Sequence, residues 1–314
     1  MRFLIMGAGA VGSLLATQLN AAGHQVQFWA RPAQRAARRR VIAQRVGGAA
    51  LQLETAFLAP GDAVPDSDWV LVCVRAEQLD RALQDVVAQL GPERNVAVSA
   101  VSFENVVTRA RRLGLTGCVL AHGISFGVWR DPTEAARFTW FPFLMPSVLS
   151  AEGERSSLSQ ARALADVLKR AGLPTRAMLS ARAFTSWMMA VSAPLIAGWD
   201  LCDFALERLA RDPVQRRLTA RGIAESTGAI RVTGPLRVLT WLPAWMYALL
   251  LRVLPLVVGR NGREVWRHHG PKIRVQTRYT LQIALKNAAD RGSASPALHA
   301  LAERFERHLR ANVG

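Results

Sequence analysis

Residues 7–12 read Gly-Ala-Gly-Ala-Val-Gly, with glycine at the first, third and sixth positions. That spacing suits the chemistry of holding phosphate. Gly7 permits a tight turn, Gly9 lets the backbone approach a pyrophosphate, and Gly12 lets a following helix pack closely on the strand before it. Ala8, Ala10 and Val11 complete the loop, and the free N–H groups and dipole at the helix start then hold the anion. An NAD site usually carries an Asp or Glu at the end of the second strand, where it binds the ribose hydroxyls. This chain has no acidic residue before Glu54. It has Arg31 at that point, followed by Arg35, Arg38, Arg39 and Arg40. A guanidinium there pairs with a 2′-phosphate, so NADP(H) is the expected cofactor and Arg31 the expected contact.

The loop needs particular elements around it. Residues 2–6 (RFLIM) read as a short buried strand, residues 13–22 as a helix stopped by Gly23, and residues 25–30 as a second strand. Residues 68–74 (DWVLVCV) read as another buried strand. Residues 77–90 have helical spacing, with Leu79, Leu83, Val86, Val87 and Leu90 apolar. Residues 95–101 and 117–121 are further strands. Alternating strands and helices imply α/β architecture with a doubly wound, Rossmann-type parallel sheet. Residues 157–171 read as a helix ending at Gly172, and from about residue 178 onward nearly every window reads as helix. The expected division is therefore a dinucleotide-binding domain over residues 1–177 and an all-helical substrate or dimerisation domain over residues 178–314.

The run MRFLIMGAGAVGSLLATQLNAAGHQVQFWAR resembles the opening of the ketopantoate reductase family. VCVRAEQLDRAL at residues 72–83 is similar too. Val74-Arg75 stands where the family has a Val-Lys pair, and Gln78 matches the family's glutamine. GSASPALHAL at residues 292–301 is similar to the family's Gly-x-x-Thr-Pro segment. The resemblance is dense in the first 90 residues and sparse afterwards.

It implies an NADPH-dependent reductase of a 2-keto acid or related small carbonyl substrate, working in the cytoplasm in pantothenate biosynthesis. Val74 and Arg75 would lie beside the cofactor. The family's catalytic lysine falls two residues after a tryptophan, with an asparagine four residues later. Counting from Trp187, those positions are Met189 and Ala193, and neither can donate a proton. The family's Asn-Gly pair falls at Val101-Ser102, and its late glutamate falls at Gln276. The cofactor half of the pattern carries over and the catalytic half does not. Among nearby polar residues (Ser186, Ser192, Lys272, Gln276, Arg278, Tyr279), Lys272, Gln276 and Ser192 are the candidates for a replacement. The other reading is a catalytically inactive NADP(H)-binding sensor or partner-binding protein.

Composition bounds the remaining alternatives. The chain has 314 residues, half of them hydrophobic, and a net charge of +17 carried by arginine, since only Lys169, Lys272 and Lys286 are lysines. The arginines are spread along the whole chain, and no basic stripe interleaves with aromatics, so nucleic acid is not the expected partner. Cys73, Cys118 and Cys202 are far apart in sequence, which argues against a disulfide framework or a metal cluster and suits a reducing compartment. The apolar run after Arg2 looks like a signal peptide, but the glycines within it are better explained by the loop. His122 follows a buried strand and is expected either to face the cofactor or to be a satisfied core histidine. His268-His269 diverge on a helix and cannot easily share a metal. The segment 236–258 is apolar, with Trp241, Trp245 and Tyr247. It is expected to be a core or homodimer-interface helix, and its alternative is a helix lying in a membrane interface.

Overall fold

The structure is a computed structural model describing residues 1–29, 40–55, 57–58, 62, 66–75, 78–99, 105–131, 133–142, 145–230, 238 and 240–311. The chain divides into two units, Met1–Ala181 and Arg182–Gly314.

The first unit is built on an eight-stranded sheet. Its strands are β1 (Arg2–Met6), β2 (Gln25–Trp29), β5 (Phe57–Leu58), β6 (Trp69–Val72), β7 (Val96–Val98), β8 (Val119–Gly123), β11 (Ser147–Ser150) and β12 (Thr175–Met178), in the order β12-β11-β8-β7-β6-β1-β2-β5. Strands β1, β2, β5, β6, β7 and β8 run parallel, while β11 pairs antiparallel with β8 and parallel with β12. The order reverses at β1, which is the switch point of a doubly wound sheet.

Both faces of this sheet are covered, which is why its strands read as continuous apolar runs. On one face Leu4, Met6, Val70, Val72, Val96 and Val98 pack against α2 (Leu79–Leu90) and α3 (Val106–Arg112). On the other, Phe3, Ile5, Leu71, Ala97 and Leu120 pack against α1 (Ala10–Ala21) and α4 (Leu158–Arg170).

A second, four-stranded sheet joins β3 (Arg40–Arg45), β4 (Ala50–Glu54), β9 (Phe126–Arg130) and β10 (Arg137–Pro142) in the order β4-β3-β10-β9. Its Val41, Ala43, Leu53, Val128, Phe138 and Trp140 join the core that holds Leu14, Leu15 and Leu19 of α1. Helix α1 is thus enclosed by two sheets, and every residue from Gly12 to Leu19 is buried, including Ser13, Thr17 and Gln18. The Thr17 hydroxyl donates to the Ser13 carbonyl at 2.8 Å, which satisfies it inside the helix.

The second unit is all helix among its described residues: α5 (Arg182–Asp200), α6 (Leu206–Arg211), α7 (Pro213–Gly228), α8 (Ala244–His269), α9 (Arg274–Ala289) and α10 (Pro296–Ala311), with a 3₁₀ turn at Gly270–Ile273. Asp200, at the end of α5, is fully buried and accepts two hydrogen bonds from Arg274 of α9, Nε at 2.8 Å and Nη2 at 2.7 Å. His308 of α10 lies 3.3 Å from the same carboxylate. The segment 292–301 leads into α10, where the Glu225 carboxylate of α7 accepts the backbone N–H groups of Ala297 (3.2 Å) and Leu298 (2.7 Å). A carboxylate at a helix amino end satisfies orphan donors and suits the dipole.

Several expectations need correction. The boundary falls at Ala181–Arg182 rather than 177/178, because β12 zips onto β11 and Ala181 donates its N–H to Ser150 Oγ at 2.8 Å. The sequence reading missed β3, β4, β5, β9, β10, β11 and β12. The apolar segment 236–258 is not wholly core: Tyr247 and Leu251 of α8 are buried, while Trp245, Leu249, Val253 and Leu256 face outward, as do Val238 and Trp241 before the helix. Among the described residues, no helix is long and apolar enough to cross a membrane.

Candidate functional site

The loop between β1 and α1 carries the site. Gly7 has φ +105°, which glycine adopts without steric cost. A Cβ on Gly7 would overlap the carbonyl of Cys73, just past β6, and approach Val74 Cγ1 to 3.3 Å. A Cβ on Gly12 would overlap the carbonyl oxygen of Gly7 and lie 3.1 Å from Ile5 Cγ2. These two glycines are therefore required by packing within the chain. Gly9 differs: it is exposed, its φ of −78° suits any residue, and a Cβ there would meet nothing within 4 Å. It precedes α1 directly, no side chain caps that helix, and its first turn has no acidic residue. The open space over Gly9 beside an uncapped helix amino end fits a phosphate. These residues fit a dinucleotide, with Gly7, Ala8, Gly9, Ala10, Val11 and Gly12 forming the cradle.

The segment after β6 borders this cradle. The Cys73 N–H donates to the Met6 carbonyl at 2.8 Å, Val74 is half-buried, and Arg75 is exposed. The Gln78 N–H donates to the Arg75 carbonyl at 2.9 Å, which fixes the turn into α2. Among the described residues, Asp66 and Asp68 lie at the opposite, amino ends of the strands. There Asp66 pairs with Arg2 (2.9 Å) and Arg94 (2.7 Å), and the hydrogen bond from Arg94 holds its carboxyl below the usual carboxylate range. Arg31, Arg35, Arg38 and Arg39 lie outside the described residues, as do Val101 and Ser102. Arg40 opens β3 and donates to Gln52 Oε1 at 2.7 Å.

A row of polar side chains runs across the carboxyl ends of the strands. Register places Met6 beside Val72, Val72 beside Val98, and Val98 beside Ala121. One residue further on, Gly7, Cys73, Ser99 and His122 share the α1 face by alternation. Ser99 Oγ and His122 Nδ1 are 2.8 Å apart, and both residues are buried. Loss of water pushes His122 down to about 4, so its ring is neutral at pH 7. The Cys73 thiol hydrogen-bonds with Ser99, and burial pushes it up to about 12. Cys73 and Ser99 were not singled out from sequence. Their signal was present, since each stands one residue past a buried strand on the parity of the α1 face.

The expected catalytic positions give little. Met189 and Ala193 are buried apolar residues on α5. The hydroxyl of Ser192 turns back to the Met189 carbonyl at 3.4 Å. Lys272 is exposed in the 3₁₀ turn, and Gln276 is half-buried near the start of α9. All of these belong to the second unit.

The parallel sheet, its switch point and the glycine cradle define the first unit as Rossmann-type, in a chain whose second unit is helical. Residues 3–115 match the family model described as ketopantoate reductase PanE/ApbA. A curated 2-dehydropantoate 2-reductase from Vibrio cholerae serotype O1 is 36% identical over 93 residues, which is 30% of this chain and 29% of that protein. A solved putative ketopantoate reductase from Ralstonia solanacearum aligns over 99% of this chain and 98% of its own, with TM-score 0.73 and 17% identity. D-mandelate dehydrogenase, solved with NADH and anilino(oxo)acetate, aligns over 99% of each chain with TM-score 0.72 and 13% identity. Residues 3–115 are thus similar to the corresponding part of ketopantoate reductases. The curated relative is matched over under a third of its length, and the structural likenesses establish the fold.

Proposed function

We propose that this chain is an NADP(H)-dependent reductase of a 2-keto acid or related small carbonyl compound. The observation that carries the reading is Gly9: open space above an uncapped helix start, between two glycines that packing requires. The bound dinucleotide supplies hydride to the carbonyl carbon. The chain's own contribution is to hold the pyrophosphate on the amino end of α1 through the 7–12 backbone, with Arg75 flanking and Arg31 contacting the 2′-phosphate. The lack of any acid in β2 supports NADP(H) over NAD(H). The substrates in view follow from the family and from the 2-oxo acid analogue named with D-mandelate dehydrogenase. Lys272, Gln276 and Ser192 remain the proposed replacements for the family's proton donor in the helical unit. The exposed apolar side of α8 is proposed as a homodimer contact, and the pathway and cytoplasmic site implied by the family are proposals of the same standing.

The buried, apolar Met189 and Ala193 favour a second reading, in which the chain binds NADP(H) without catalysis, as a sensor or partner-binding protein. An absorbance assay of NADPH consumption against a panel of 2-keto acids, ketopantoate included, separates the two. The first reading expects turnover with at least one keto acid. NADPH binding with no turnover across the panel overturns it in favour of the second.

A further inference from the structure

His122 ends a hydrogen-bonded chain that leads away from the glycine loop. Its Nδ1 is engaged by Ser99, while its Nε2 is enclosed and has no hydrogen-bond partner among the described residues. A buried polar nitrogen left unsatisfied costs about 1–3 kcal/mol, so such a group calls for an explanation.

The direction of the hydrogen bonds follows from chemistry. The Cys73 thiol, pushed up to about 12, stays protonated at physiological pH and can donate to the Ser99 oxygen. The Ser99 hydroxyl has one proton and two neighbours. An imidazole nitrogen accepts it better than sulfur, which is a weak acceptor. With Ser99 donating to Nδ1, the neutral ring of His122 carries its proton on Nε2. Cys73 and Ser99 act as positioning residues that fix the tautomer.

The result is an oriented N–H donor with no acceptor. It sits on β8, three strands from β1, or ~14 Å from the glycine loop at standard strand spacing. Ligands of doubly wound sheets bind outside the carboxyl ends of the strands, where this row ends.

We propose that His122 Nε2–H is the donor to a carbonyl oxygen of the ligand held at the carboxyl end of the sheet, either the carboxamide of the nicotinamide or the ketone of a 2-keto acid. The inference rests on the dinucleotide reading above. It assigns a neutral imidazole, kept as donor by its neighbours, to polarise or orient a carbonyl where Met189 and Ala193 cannot.

The test uses the full chain and three probes: 2′-phospho-ADP-ribose, which lacks nicotinamide, NADPH, and oxamate as an unreactive 2-keto acid analogue. In His122→Phe the fragment binds as in the wild type. If the partner is the carboxamide, NADPH affinity falls ~10-fold. If it is the ketone, NADPH affinity is kept and oxamate binding to the NADPH complex falls ~10-fold. His122→Gln, which keeps an N–H near the Nε2 position, recovers most of the loss. In the ¹⁵N spectrum of the wild type, Nε2 is protonated and shifts on saturation, and Ser99→Ala disturbs the tautomer. Unchanged affinities in both His122 variants, or an Nε2 signal that ligands do not move, overturns the proposal while leaving dinucleotide binding intact. Failure of the wild type to bind either the fragment or NADPH overturns both. If His122→Phe does not fold, His122→Gln and the wild-type spectrum decide.

Discussion

Gly12 lies against Gly7, so closely that any side chain at Gly12 would overlap the Gly7 carbonyl oxygen. The obstacle is backbone on both sides and cannot yield by a rotamer change. Gly12→Ala is expected to destabilise the first unit by about 3 kcal/mol, the upper end of overpacking costs, read as a lowered denaturant midpoint. Gly9→Ala meets no atom and has ordinary φ, so its midpoint stays within about 0.5 kcal/mol of the wild type. Its NADPH affinity falls ~10-fold, because the methyl group takes the space of the phosphate. Equal stability loss in the two variants would refute the division of roles.

His122 makes stability depend on pH in a defined window. Its folded value is lowered from 6.5 to about 4, so between those limits the unfolded chain takes up a proton that the folded chain refuses. Stability then rises with pH through this range, and the contribution present above pH 6.5 is lost as the pH falls toward 4. The full swing is on the order of 3 kcal/mol. His122→Gln removes it, so the difference between wild-type and variant midpoints, plotted against pH, flattens above 6.5 and below about 4. A difference independent of pH would contradict the buried neutral ring.

Asp200 and Arg274 anchor the helical unit. Arg274→Met leaves a fully buried carboxylate without its guanidinium partner, and is expected to cost about 3 kcal/mol by urea denaturation. Replacing both, Asp200→Leu with Arg274→Met, costs less than the single change, because no uncompensated charge remains. A double variant weaker than either single one would show that the pair contributes more than it costs to desolvate.

The outward side of α8 predicts association. Trp245→Glu with Leu249→Glu changes exposed positions and leaves the protomer's melting point nearly unaltered. Analytical ultracentrifugation is expected to find the wild type dimeric and this variant monomeric. A wild type that stays monomeric at high concentration contradicts the homodimer.

How much of this was legible in the sequence follows from how each element is stabilised. The glycine loop was readable because Gly7 and Gly12 answer to local geometry, and local geometry leaves a fixed spacing. The parallel strands were readable because burial on both faces makes them continuously apolar. The second sheet was not. Its strand β10 pairs in parallel with β3, nearly a hundred residues earlier, and Arg45, Arg130 and Arg137 interrupt any apolar pattern. Pairing over that distance leaves no periodicity to detect. Helix α1 was found but its enclosure was not, since the second sheet that packs on Leu14, Leu15 and Leu19 was not legible. In the site, Ser99 and Cys73 escaped notice because their significance lies in strand register, while Met189 and Ala193 could be located only by counting from Trp187.

The most direct test of the central claim is calorimetric titration of the purified full chain with NADPH and with NADH. The account predicts one site per chain, with NADPH bound at micromolar affinity and at least tenfold more tightly than NADH, and with Gly9→Ala abolishing most of that affinity. No heat of binding with either dinucleotide would contradict it, and the glycine loop would then be a packing device between β1 and α1 and nothing more.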